Sequence, residues 1–388
     1  MSRPYLSVGA PPGEAGQHAV FAARVRHWPY DRLADHVWVD HDDEFKIQLQ
    51  LLERQLRFIT ALHPGAAALG RGQRLTLDLR YVHRPDAPQV EAVLLGKAYD
   101  PADAEAARAA ALALWELAAS VMPVGYDLMP AVTAADFRTW SGEDVIRRAS
   151  ADRHWAAIRR PAEFLLWTDE KVARRYLPIV FPYRWEPSGW DVVWAALGRQ
   201  STPALISVSL RPEVFSEAEE RVLSDLIQDL QELAGQARPP LASHAREAAD
   251  WYERYVRGLR TAYAVHVTVL GAPALRWAVR SALSGPAWSL EEGITGGHAV
   301  QAEVVEPAEA EWPVAEDNLR YLEQGSWGAS PWGQAKLLPV LERLQHLVDP
   351  SGALCAFRLP LLPPKGLPGV VIGDTISLSV PDSAAPMP

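Results

Sequence analysis

Sulfur chemistry has little to work with in this sequence, because Cys355 is the only cysteine among 388 residues. One thiol cannot close an internal disulfide, and it excludes a cysteine-rich zinc site. The basic excess of a dedicated nucleic-acid binder is also missing. Asp and Glu number 48 against 38 Lys and Arg, giving a net charge of −10. No apolar leader core follows Met1, since residues 2–13 read Ser-Arg-Pro-Tyr-Leu-Ser-Val-Gly-Ala-Pro-Pro-Gly. The most apolar long stretch, Ala104 to Val124, is interrupted by Glu105, Arg108 and Glu116 and closed by Pro123. A membrane-spanning helix needs roughly 20 mostly uncharged residues, so this stretch predicts a buried helix instead. Together these absences predict a cytoplasmic protein.

Catalytic signatures are equally sparse. A P-loop sets two glycines around four residues before Lys and Ser or Thr, so that backbone donors and the Lys meet phosphates. The nearest stretches, Gly65-Ala-Ala-Ala-Leu-Gly70 and Gly293-Ile-Thr-Gly-Gly297, lack that Lys and hydroxyl. Ser326 and Ser330 lie in Gly325-Ser-Trp-Gly-Ala-Ser-Pro-Trp-Gly333, which is not the GxSxG order of a nucleophile elbow. Metal ligation has one weak candidate, His36-Val-Trp-Val-Asp40-His41-Asp42-Asp43, which reads more simply as a helix cap and a solvated turn. His266 sits inside an apolar strand pattern, and Cys355 inside an apolar run, where both read as packed side chains. The expectation is a protein with no cofactor and no metal, and one that is not an enzyme.

What is present is an ordinary globular composition, 48% hydrophobic and 22% charged. The length predicts two or three compact units. Residues 1–41 read as an irregular segment with an edge strand. In residues 42–140, Phe45, Leu49, Leu52, Leu56 and Ile59 mark one helical face, which His63-Pro64-Gly65 should end. Leu75, Leu77, Leu79 and Tyr81 alternate with Thr76, Asp78 and Arg80, the pattern of a strand with one buried and one wet face. Val90 to Tyr99 returns as a second strand, and Asp100-Pro-Ala-Asp103 caps an Ala-rich helix. Residues 141–310 repeat this logic. Strands fall at 163–167, 176–183, 204–210 and 264–270, and Ser216-Glu-Ala-Glu219 is a capping box opening a helix. Residues 311–388 add helices at 313–324 and 334–348, the segment Phe357-Arg-Leu-Pro360 and a disordered tail. The predicted fold class is α+β: two units with helices packed on mainly antiparallel sheets, followed by a helical C-terminal segment.

Two residue types suggest partners. Tryptophan is abundant at 15 residues, and it is a favoured interface anchor. Trp185, Trp190 and Trp194 cluster around a short helix, and Trp327 and Trp332 frame the glycine-rich loop; core packing is the plain alternative for each. Arg147, Arg148, Arg153, Arg159, Arg160, Arg174 and Arg175 make residues 147–175 locally basic, a candidate DNA-contacting face.

Ala353-Leu-Cys-Ala-Phe-Arg-Leu-Pro360, followed by Gly366-Leu-Pro-Gly-Val370, resembles the segment that leads into the motor of HerA-type and conjugative type IV secretion ATPases. Pro203-Ala-Leu-Ile-Ser-Val-Ser-Leu-Arg-Pro212 is similar to a strand of their pre-motor region. The resemblance covers most of residues 42–372, on short motifs. It implies that Phe357 and Arg358 are candidate partner-binding residues. Where those proteins continue into a P-loop domain, this sequence reaches Pro388, so the expectation is a module whose motor is a separate polypeptide. The functional expectation is therefore a non-catalytic adaptor on a DNA-translocating ATPase, in anti-phage defence or DNA transfer. A DNA-binding subunit using the 147–175 arginines, and a hydrolase or nuclease with a dispersed site, are the alternatives.

Overall fold

A computed structural model describes residues 2–10, 16–37, 43–69, 74–87, 89–152, 154–169, 172–183, 186, 189–284, 300–333 and 335–376. The strands are β1 (Ser7–Gly9), β2 (Gln17–His27), β3 (Arg74–His83), β4 (Glu91–Asp100), β5 (Tyr126–Pro130), β6 (Trp155–Arg159) and β7 (Ala162–Asp169). They continue with β8 (Val172–Val180), β9 (Ala204–Pro212), β10 (Tyr263–Leu270), β11 (Glu303–Val305), β12 (Leu347–Val348) and β13 (Asp374–Thr375). The helices are α1 (Tyr30–Asp35), α2 (Glu44–Leu69), α3 (Ala104–Ser120), α4 (Ala134–Trp140), α5 (Glu143–Asp152) and α6 (Asp191–Gly198). After them come α7 (Glu217–Gln236), α8 (Leu241–Gly258), α9 (Pro273–Leu283), α10 (Trp312–Arg320), α11 (Pro339–Glu342) and α12 (Pro350–Ala356).

The architecture is α+β. Eleven of these strands form one sheet in the order β1-β2-β4-β3-β9-β10-β6-β11, with β5 and β13 on β2 and β12 on β10. Every pairing is antiparallel except β13 with β2. The long ladder between β3 and β9 joins strands of residues 42–140 to strands of residues 141–310 in that one sheet. Among the described residues, β7 and β8 pair only with each other.

Alternation along the strands explains the main core. Leu77, Leu79 and Tyr81 of β3, Ile206 and Val208 of β9, and Val265 and Val267 of β10 point to one face. Helices α2, α3, α6 and α12 bury that face. Each fully buried Leu, Ile or Val there contributes about 1.5–3 kcal/mol. A second apolar cluster lies where the inner face of the β7–β8 hairpin, through Leu165, Trp167, Leu177 and Ile179, meets Leu226 and Leu230 of α7 and Tyr252 of α8.

Several sequence expectations change. Helix α2 runs through Pro64 to Leu69 instead of ending at His63. Leu62, His63 and Ala66 are buried against the body, and that packing holds the helical path despite the donor the proline lacks. The helix expected over 334–348 is reduced to α11 and a short 3₁₀ turn, because Leu347 and Val348 pair with β10. The helix expected over 313–324 ends at Arg320, before Leu322 takes the left-handed region at φ 51°. Asp349 caps a helix that was not expected, α12, by accepting from the Gly352 amide, with Pro350 at the first position. Among the described residues, no helix is long and apolar enough to cross a membrane.

Candidate functional site

The sheet face turned away from α2 carries the polar half of the alternation. Lys97 on β4 lies opposite Thr76 on β3; Asp78 and Arg80 lie opposite Ser209 and Ser207 on β9; those serines lie opposite His266 and Thr268 on β10. The sequence pattern placed Thr76, Asp78 and Arg80 on a wet face, whereas all three are buried, Asp78 completely. The difference arises from a covering segment distant in sequence: the end of α10 and the stretch that follows it to Ala329 bond onto this polar belt.

Contacts beneath the cover are hydrogen bonds and ion pairs. Arg80 pairs with Asp78 at 3.2 Å and donates to the carbonyls of Ser141 and Leu319. Ser207 Oγ lies 2.8 Å from both Asp78 oxygens. Lys97 pairs with Glu323, and Gln324 donates to Ser209 Oγ at 2.9 Å and to the Ala264 carbonyl at 3.1 Å. Arg159 donates to the carbonyls of Trp327 and Ala329. Buried charges survive in a fold only when paired and bonded in this way.

At the edge of the belt, His266 and His346 stack with ring centroids 4.3 Å apart and planes 11° from parallel. Ser326 Oγ, exposed on the Gly325–Gly328 turn, lies 3.5 Å from His346 Nε2. Burial and then the Arg159 guanidinium push His346 down to about 4. Burial and then His346 hold His266 well below the ordinary histidine range. Both rings are therefore neutral at pH 7, and the tautomer of His346 sets whether its Nε2 accepts from the hydroxyl or donates to it. The same depression makes it a weak base, since a general base works best with its pKa near the working pH. The cleft between Ser326, His346, His266 and Arg159 has a volume of only about 10 Å³, the room of one water.

The residues singled out in the sequence are scattered by the fold. Trp190 and Trp194 are core, 1% exposed each, packed against Tyr81, with Trp190 Nε1 donating to the Cys355 carbonyl. Trp327 and Trp332 are buried as well, and donate to the carbonyls of Val305 and Glu342. They hold the chain's own segments together, so four of the five tryptophans expected to meet a partner, Trp190, Trp194, Trp327 and Trp332, are used internally. Phe357 and Arg358 are buried too, and Arg358 bonds the Leu354 carbonyl. Of the arginines, Arg147 and Arg148 are exposed on α5, whereas Arg159 and Arg160 are 5% and 2% exposed and spend their donors on carbonyls. Arg174 and Arg175 lie on β8, but their side chains fall outside the described residues, as do Arg153 and Trp185. Asp40 and His41 also lie outside them; His36 is exposed and packs on the Trp28 ring at 4.9 Å.

Cys355 is buried, and burial pushes its thiol up to about 12. That is the inert state expected of a packed cysteine. Among the described residues, no group of three His, Cys, Asp or Glu side chains is placed to hold a metal ion. His346, Glu323 and Gln324 were missed by sequence reading, and no local motif marks them. Compared with known proteins, the chain matches no family model and no curated sequence.

Proposed function

We propose that the chain is a non-catalytic adaptor that docks on a separately encoded P-loop motor of the HerA or conjugative type. The observation that carries this reading is the clamp on Phe357-Arg-Leu-Pro360. Tyr81 donates to the Arg358 carbonyl and Tyr126 to the Pro360 carbonyl at 2.8 Å. Gln55 brackets Leu359, donating to its carbonyl at 3.2 Å and accepting from its amide at 3.0 Å. Side chains of α2, β3 and β5 thus fix the segment whose sequence resembles the approach to a motor. A chain held so rigidly can set the position and direction of whatever is attached or docked beyond it. Co-expression with a P-loop ATPase of the HerA or conjugative type tests the reading. Co-purification as a stable complex is expected; a clean monomer that ignores that ATPase would overturn it.

The Ser326–His346 contact favours a second reading, a weak serine hydrolase. Labelling by a fluorophosphonate probe that disappears in Ser326→Ala would support it. Absence of labelling in the unmodified protein removes it.

A further inference from the structure

The β7–β8 hairpin buries only one face. Its inner residues pack on α7 and α8, but Phe164 and Leu166 on the opposite face are 38% and 43% exposed. Phe164 meets the edge of Tyr176 across the hairpin at 5.1 Å. Tyr176 in turn lines a groove of about 320 Å³ between the hairpin, α7 and residues 336–341. Leu177, Val222, Leu226, Leu337 and Leu341 form its walls, and Leu338 at its mouth is 53% exposed. Exposed apolar residues running continuously into an open groove mark an interaction surface in a soluble fold.

Charge selects the occupant. Asp225 and Asp229 of α7 stand on the rim, with Lys336 as the groove's one lining cation among the described residues. The same helix carries exposed Glu220 and Glu232, while Glu217 is paired with Arg221 at 3.5 Å. A second copy of the chain would bring two such ridges together in a two-fold contact, with like charges opposed. A basic amphipathic segment has none of that cost. Its apolar side chains at helical spacing fill the groove while flanking Lys or Arg meet the rim.

We infer that this groove is a docking site for a basic amphipathic helical segment of a partner protein. The inference rests on the adaptor reading only for the identity of the polypeptide carrying that segment, the motor. A fluorescein-labelled peptide of leucine and lysine at helical spacing is the probe, read by anisotropy against the full chain. The lysine peptide should bind, with an affinity that falls as salt is raised, and the same peptide with glutamate for lysine should not. Leu338→Glu should weaken binding about tenfold or more. Asp225→Lys should weaken it and flatten the salt dependence. Both positions are exposed, so thermal melts should match the parent, and Phe164→Ser serves as a further variant. Equal binding of the two peptides, indifference to Leu338→Glu, or a dimer that Leu338→Glu dissolves would each overturn the inference. Motor capture that survives Leu338→Glu would sink the groove and leave the adaptor reading standing. Peptide binding with no motor capture would do the reverse.

Discussion

At the residue scale, the polar belt is where single substitutions should be felt most. Asp78 is fully buried and neutralises Arg80, which is 1% exposed. Asp78→Ala leaves a buried guanidinium without its partner, at a cost of about 3–5 kcal/mol. Urea titration followed by circular dichroism should show it, and replacing both partners, as in Asp78→Leu with Arg80→Met, should recover much of the loss. Histidines make the same belt sensitive to acid. Burial and then Lys97 push His18 down to about 4. Above pH 6.5 the ring is neutral whether the chain is folded or not, and contributes no pH dependence. Below 6.5 the unfolded chain takes up a proton that the folded chain refuses until about pH 4, so stability drops as pH falls through that window. By pH 5 the loss from His18 alone is on the order of 2 kcal/mol. His266 and His346, also depressed, act in the same direction. Urea midpoints at pH 7 and pH 5 check this, and His18→Gln should narrow the gap between them.

At the element scale, α2 carries its own weak point. Pro64 is exposed in the helix interior and gives no amide to the turn before it, where Thr60 Oγ1 bonds the Leu56 carbonyl at 2.8 Å. Pro64→Ala restores a donor and removes a ring clash without losing packing. It should raise stability by about 1–3 kcal/mol in a thermal melt. Local signals of this kind were largely readable in advance. The Ser216–Glu219 capping box and the Asp103 cap are both formed, and the Leu75–Tyr81 alternation named the strand and its core face correctly. What those signals lack is range. Nothing within residues 73–84 announces that residues near 320 will cover Thr76, Asp78 and Arg80, and Pro64 reads as a helix end only until the buried Leu62 and Ala66 are seen. The candidate site was unreadable for the same reason: Ser326 and His346 come from separate segments, brought beside His266 of β10 by the fold. Trp190, Trp327 and Trp332 could not be told from interface anchors in the sequence, because a large ring with one donor suits a buried carbonyl as well as an interface.

At the scale of the whole molecule, eleven of the thirteen described strands share one sheet, and that governs how the chain should unfold. The β3–β9 ladder links residues 74–83 to residues 204–212, and the apolar face of the first segment is covered partly by α12, which lies beyond residue 349. Asp374 and Thr375 then return to pair with β2 near the start of the chain. No cut between residues 141 and 310 leaves both pieces with a closed core. Residues 1–140 made alone should therefore give no cooperative melt, since β3 would expose an unpaired edge and α2 would lose part of the surface it packs on. In the full chain, far-ultraviolet dichroism reports every element, while tryptophan fluorescence samples rings in both apolar clusters, Trp194 in one and Trp251 in the other. Because β10 of the eleven-stranded sheet contributes to both clusters, through Val265 in one and Ala264 in the other, the two signals should fall together in urea. Two separated transitions, or a folded 1–140 fragment, would mean that the β3–β9 ladder is an interface between independent units. The clamp on Phe357–Pro360 would then orient only part of the molecule, because Gln55, Tyr81 and Tyr126 belong to the first segment while the clamped residues belong to the last.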